Sequence, residues 1–282
     1  MSINYSGIQY YGKIFLAMVK SIKVKRKGKV IMEKVSIFGI NICNISFEEN
    51  KKILEKFLES DKLNRIYTPN TEIVMAARED NELKNIINSG ELVICDGIGL
   101  IYGAKIRKKP LKERVTGFDT SMELLKFADE KGLNLYFLGG KEGVSKKACE
   151  NVQKKYKNLK VCGYHNGYFP GSHMGVDNSE EEKNIIDEIN SKNVNIIFVG
   201  LGFPKQEIWI DKNFHKIKAN IIIGNGGVLD ILAGQAKRAP KIFIKLNLEW
   251  FYRLITNPSR FKRQLAIPKF LVSILLDKKS VQ

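Results

Sequence analysis

The sequence predicts an α/β protein: a Rossmann-like, mostly parallel sheet flanked by helices, with a basic helical appendage at the C-terminal end. Three observations carry that expectation. Short apolar runs such as Leu92-Val93-Ile94-Cys95 read as strands buried on both faces, as in parallel sheets. These runs alternate with segments of helical period, the pattern of βαβ units. Several runs end on glycine or a small polar residue, where open α/β sheets bind ligands.

The elements follow in chain order. Residues 1–34 form a basic extension in which Lys23 to Lys29 shows no apolar period, and Met32 is a candidate natural start. Val35–Ile40 reads as the first strand. Ser46-Phe47-Glu48-Glu49 is a capping box opening a helix with Phe47, Ile53, Leu54, Phe57 and Leu58 on one face. Arg65–Thr68 is a second strand, followed by one helical stretch from about Asn70 to Asn88 and a stop near Gly90. Leu92–Cys95 is the third strand. Thr120 with Glu123 predicts the cap of a helix that Gly132 ends. Asn134–Leu138, Leu159–Gly163, Asn195–Gly200 and Asn220–Gly224 are further strands, and a helix starts at about Gly143. Lys241 to Ile255 reads as one helix with Lys241, Lys245, Glu249 and Arg253 in a narrow polar stripe and a broad apolar face, suited to a membrane interface, a subunit or the protein's own core.

Composition narrows the function. At 282 residues with 44% hydrophobic content the chain can bury one large core plus an appendage. Four scattered cysteines and three histidines make no ligand spacing, so free thiols and no metal site are expected. Residues 1–34 carry a net +7 and residues 236–279 a net +9 of the total +17, leaving the middle near neutral. The expected division is 1–34, a core over 35–235 and a basic amphipathic appendage over 236–282. Charge clustered at the ends suits an anionic partner, either nucleic acid or an anionic membrane surface. No apolar stretch is long enough to span a bilayer, and Ile14–Val19 is short for a signal core. A cytoplasmic protein lying on the inner membrane face fits this pattern.

Asp96 is the candidate with the sharpest chemistry. It closes the third strand and precedes Gly97-Ile98-Gly99. Two readings stand side by side: a cap or turn residue, or a carboxylate serving a ligand crevice. The other strand ends are Thr68-Pro69-Asn70, Gly139-Gly140, Gly200-Leu201-Gly202 and Gly224-Asn225-Gly226-Gly227, which a parallel sheet gathers on one edge. No dinucleotide fingerprint, P-loop or D-x-D sequence is present, so a diphosphate would be held by amides and cations such as Arg114 and Lys205, with Gln206 beside them.

In order, Thr68-Pro69-Asn70, Cys95-Asp96-Gly97, Arg114-Val115-Thr116-Gly117, Phe137-Leu138-Gly139-Gly140, Gly200 to Glu207, Gly224 to Gly227, Arg238-Ala239-Pro240 and Glu249-Trp250 resemble the WecG/TagA/CpsF glycosyltransferases. The resemblance runs from about Val35 to Pro268. It implies an inverting transfer from a UDP-sugar to a polyprenyl-diphosphate-linked sugar acceptor on the cytoplasmic membrane surface, without a bound metal or other cofactor. N-acetylmannosamine is the first-choice sugar, its uronic acid or another hexose the alternative. The resemblance makes Asp96 the general base. It assigns Thr68, Asn70, Arg114 and Gln206 to the sugar pocket, while Gly139, Gly140 and Lys205 are substrate-binding candidates from the strand-end pattern. Tyr168 and Asp230 fall near the nucleotide, and Arg253, Arg260 and Arg263 come from the appendage. A homo-oligomer is a further expected association. Two readings outside this class are a nucleic-acid binder, which the missing recognition motifs and terminal basicity disfavour, and a noncatalytic scaffold of the same fold.

Overall fold

The computed structural model describes residues 32–256, 263 and 265–282. The basic run Lys23–Lys29, the candidate start region before Met32, and Arg260 lie outside the described residues. Glu33–Gln282 forms one compact unit.

The centre is a six-stranded sheet of β3 (Asn64–Tyr67), β4 (Leu92–Val93), β5 (Asn134–Gly139), β6 (Lys160–His165), β7 (Ile196–Gly200) and β8 (Ile221–Gly224). Its spatial order is β4-β3-β8-β7-β5-β6, and every adjacent pair is parallel. The expected sheet is therefore present, and all its strand ends share one edge. Ile196–Gly200 and Ile221–Gly224 are buried throughout because the sheet is covered on both sides. Phe137 and Phe198 stack across neighbouring strands with centroids 5.5 Å apart. At Gly139, with φ +129°, a Cβ would come within 2.4 Å of the Gly200 backbone, so only glycine lets β5 and β7 close together here.

Helices α1 (Phe47–Leu58), α2 (Thr71–Glu79), α3 (Asn81–Asn88), α4 (Ile98–Ile106), α5 (Gly117–Lys131), α6 (Val144–Lys155), α7 (Glu180–Ser191), α8 (Lys205–Asn213) and α9 (Val228–Leu232) complete the core. The Ser46 capping box forms with both of its hydrogen bonds, and Gly132 ends α5 in the left-handed conformation.

Four expectations need correction. The strand expected over Val35–Ile40 is a hairpin of β1 (Lys34–Ile37) and β2 (Ile40–Cys43). It turns at Phe38 and Gly39, both at positive φ, the geometry of a two-residue hairpin turn. The helical stretch to Asn88 is two helices, because Asp80 adopts an extended conformation and its Oδ1 accepts the Leu83 N–H to cap α3. The cap of α5 is Thr116, whose Oγ1 accepts the Asp119 N–H at 3.0 Å. Thr120 lies buried one turn inside and accepts a hydrogen bond from Asn50. The helix expected over Lys241–Ile255 breaks into α10 (Lys241–Lys245) and α11 (Glu249–Thr256). Asn247, at φ +59°, turns the chain, and the Leu248 N–H closes back on the Phe243 carbonyl at 2.7 Å.

The last helix, α12 (Ala266–Leu276), packs on α2 and α4. Its Phe270 and Ile274 are fully buried. Phe270 meets Phe38 edge-on at 5.8 Å and rests on Gly103, where a Cβ would stand 2.7 Å from the ring. Arg107 donates to the Ile274 and Leu275 carbonyls, closing the C-terminal end of α12. The chain then returns to the hairpin, where Gln282 exchanges main-chain hydrogen bonds with Ser36 and Val281 bridges Ile37.

Candidate active site

The segment after a buried parallel strand emerges at the sheet edge. β4 ends at Val93 and not at the expected Cys95, and Asp96 lies at that edge beyond it. Its main-chain N–H donates to Pro69 O at 3.2 Å, tying it to the loop that follows β3. Its Oδ1 accepts the N–H of Gly117, the first residue of α5, at 2.9 Å. The carboxylate thus meets a helix N-terminus, but of α5 and not of α4, the helix it precedes.

Arg114 approaches from the segment before α5. Its Nε donates to the main-chain O of Asp96 at 2.8 Å and its Nη2 to Glu249 Oε2 at 2.7 Å. The other oxygen of Glu249 accepts from Arg253 Nη2, also at 2.7 Å. Arg263 pairs with Glu72 at 2.7 Å. Asp96, Arg114, Arg253 and Arg263 line one cleft with Asn70, whose side chain also caps α2. Burial pushes the Asp96 pKa above the ordinary aspartate range, and Arg114 and Arg253 pull against that rise. Asp96 is therefore a half-buried carboxylate of raised basicity. Burial would raise Glu249 too, but Arg253 and Arg114 outweigh it and hold this carboxylate below the usual range.

The remaining sequence candidates occupy the same edge at other depths. Thr68 is buried and donates from Oγ1 to Gly224 O at 3.1 Å. Gln206 is 4% exposed, lies against Gly224 and Gly226, and donates from Nε2 to Glu207 Oε1 at 2.9 Å. Gly140 donates to Gly200 O and accepts from the Gly167 N–H, joining the ends of β5, β7 and β6. Tyr168 is 74% exposed, and the exposed Lys205 reaches the sulfur of Met174. Asp230 sits in α9, its carbonyl accepting from Gln235 and Ala236. Thr68, Gln206, Gly139, Gly140, Tyr168, Lys205 and Asp230 are not among the residues lining the Asp96 cleft.

The cleft also holds Glu72, Asn247, Glu249 and Trp250, to which sequence reasoning gave no role. Glu249 carried a readable signal, since it precedes Arg253 by four residues on a helix. Nothing in the sequence joined it to Arg114. Among the described residues, no group of three or more His, Cys, Asp or Glu side chains is placed to hold a metal ion. The four cysteines are free, and no described helix is long and apolar enough to cross a membrane.

The profile of the Glycosyl transferase WecG/TagA/CpsF family matches residues 35–282, nearly the whole described unit. The chain belongs to this family. It is a glycosyltransferase, as its strand-end motifs imply. Among its relatives is the N-acetylglucosaminyldiphosphoundecaprenol N-acetyl-beta-D-mannosaminyltransferase of Bacillus subtilis (strain 168), 33% identical over 250 residues, covering 88% of this chain and 94% of the relative. The enzyme of the same name from Bacillus spizizenii is 33% identical over 219 residues, covering 78% and 81%. That of Staphylococcus aureus (strain MRSA252) is 31% identical over 251 residues, covering 88% and 95%.

Proposed function

We propose that this glycosyltransferase moves N-acetylmannosamine from a UDP-linked donor to undecaprenyl-diphosphate-linked N-acetylglucosamine, with inversion, in the synthesis of teichoic acid or a related surface polysaccharide. The shared name of the relatives supports the donor sugar and the acceptor. The observation that carries the chemistry is a basic carboxylate, Asp96, in one cleft with three arginines, Arg114, Arg253 and Arg263.

In this reading Asp96 takes the proton of the acceptor hydroxyl as that oxygen forms its bond to the anomeric carbon. The bond from that carbon to the diphosphate breaks on the opposite face, and UDP leaves with the electron pair. The arginines stabilise the charge gathering on the departing diphosphate or hold the diphosphate of the acceptor. Thr68, Asn70 and Gln206 serve the sugar. Gly139, Gly140, Tyr168, Lys205 and Asp230 serve the nucleotide side of the same sheet edge. Arg260 belongs with the cationic group as one of the appendage arginines that the resemblance implies.

The acceptor's lipid implies work at a membrane surface. Exposed Ile242, Leu246, Phe251 and Ile255 interleave with Lys241 and Lys245 on α10 and α11, which suits the anionic inner leaflet. At about 1 kcal/mol per basic residue near such a surface, four or five contacts give reversible adsorption. The deciding assay incubates a panel of UDP-sugars with a synthetic lipid-diphosphate N-acetylglucosamine acceptor, with and without EDTA. UDP-N-acetylmannosamine is expected to give inverted product at an EDTA-independent rate. Preference for a uronic acid or hexose donor would change the sugar assigned, and no transfer from any donor would overturn the reading.

A further inference from the structure

The cleft brings two carboxylates and two guanidinium groups together, and their pairing is uneven. Arg114 gives Nη2 to Glu249 and only its Nε to Asp96, and that to the main-chain oxygen. Arg253 gives Nη2 to the second oxygen of Glu249. The Asp96 carboxylate accepts the Gly117 N–H on Oδ1 and makes no ion pair among the described residues. Glu249 is 5% exposed, and a carboxylate so buried depends on both cations. Among the described residues, neither arginine makes an ion pair with the Asp96 carboxylate, although both act on it electrostatically.

We propose that Glu249 is a positioning residue for sugar transfer: it holds the guanidinium groups of Arg114 and Arg253 off the Asp96 carboxylate, so that Asp96 meets the acceptor hydroxyl as an unpaired base. This rests on the glycosyltransferase reading above and adds to it a residue that acts through its neighbours. Without Glu249, the partly exposed guanidinium groups of Arg114 and Arg253 would lose their shared partner beside Asp96, and a charge-assisted pair with Asp96 is the nearest way to satisfy them. A carboxylate locked in such a pair loses proton affinity and with it strength as a general base.

The charged and titratable groups around Asp96 set the sign of the effect. Arg114 comes from the segment before α5, Arg253 and Glu249 from α11, and the Cys95 thiol lies next to it in the chain. Glu72 of α2 also lines the cleft but is tied to Arg263. Of the three groups nearest in charge, the two arginines draw the Asp96 proton off and Glu249 holds it on. Neutralising Glu249 removes the one that holds it and frees the two that oppose it, so both consequences have the same direction.

The test follows the Asp96 carboxyl by NMR in the full-length protein carrying 13C-labelled aspartate, alongside the pH profile of kcat. In Glu249→Gln the Asp96 titration is expected to fall by about one pH unit or more. The acid limb of kcat should move with it, and kcat should drop about tenfold. Glu249→Asp, which keeps the charge, is expected to restore most of both. Arg253→Gln should shift the Asp96 titration upward, opposite to Glu249→Gln. An unmoved or raised Asp96 titration in folded Glu249→Gln would overturn the proposal, as would a titration in Arg253→Gln that stays or falls. If Glu249→Gln does not fold, the Arg253→Gln titration alone decides. The titration needs no turnover. A wild-type protein inert toward every UDP-sugar would therefore defeat the functional reading while leaving this one to its own result.

Discussion

Asp96 has two attachments that a substitution can separate. Its Oδ1 secures the N-terminus of α5 through Gly117, while its position in the cleft supplies the proposed base. Asn keeps an oxygen for the Gly117 N–H and loses the basicity. Asp96→Asn is therefore expected to lower transfer by roughly 10²–10⁴-fold with UDP affinity by calorimetry nearly unchanged; wild-type turnover would remove Asp96 from the mechanism. A second carboxyl, Glu207, is 2% exposed and hydrogen-bonded to Gln206, and burial pushes its pKa from 4.5 up to about 7. The folded state holds this proton more tightly than the unfolded chain does. Stability should therefore decline as pH rises from about 4.5 to about 7 and stay lower above, by roughly 3 kcal/mol. Glu207→Gln keeps a partner for Gln206 and cannot ionise. Urea denaturation at pH 4.5 and pH 8 should show the variant gaining on the wild type only at the higher pH; parallel losses at both would contradict the buried-acid account.

The elements divide by what made them legible. β5, β7 and β8 are uninterrupted apolar runs ended by glycine, so period and punctuation both mark them. The breaks were hidden because each rests on only one or two residues that leave the apolar pattern on either side unchanged. Phe38 at φ +48° turns the hairpin and Asn247 at φ +59° divides α10 from α11. Asp80 ends one helix while capping the next, which leaves the apolar period of Asn70–Asn88 intact across the gap. The site was legible to the same degree. Asp96, Asn70, Arg114, Arg253 and Arg263 converge as their motifs imply, whereas the Glu249 bridge needed the fold to carry α11 back to Arg114. Close contact between α4 and α12 depends on Gly103, where a methyl group would enter the Phe270 ring. Gly103→Ala should cost about 1–3 kcal/mol and raise hydrogen exchange across α12 before the rest of the core. Unchanged exchange there would mean that the two helices have slack the packing does not show.

At the scale of the whole molecule the basic C-terminal region closes the hairpin edge and carries the proposed adsorption surface on different segments. Residues 278–282 complete the hairpin edge: Phe38 donates to Ser280 O, Ser36 donates to Gln282 O, and Gln282 donates to Ser36 O. α12 covers Phe38 and Gly103, while α10 and α11 hold the exposed apolar residues and the Glu249–Arg253 pair. Two deletions should therefore differ in kind. Removing 278–282 takes away those main-chain bonds without touching the proposed adsorption surface, so it should lower Tm yet retain binding to anionic vesicles. Removing 239–282 takes away Glu249, Arg253 and Arg263 together with the cover over the hairpin. It should abolish transfer and vesicle binding and leave an aggregation-prone core. Raising salt should weaken vesicle binding of the full chain and of the short deletion alike, because their basic surface is exposed and screened. If the short deletion lost vesicle binding at an unchanged Tm, adsorption would belong to the last five residues, and the exposed faces of α10 and α11 would need another partner.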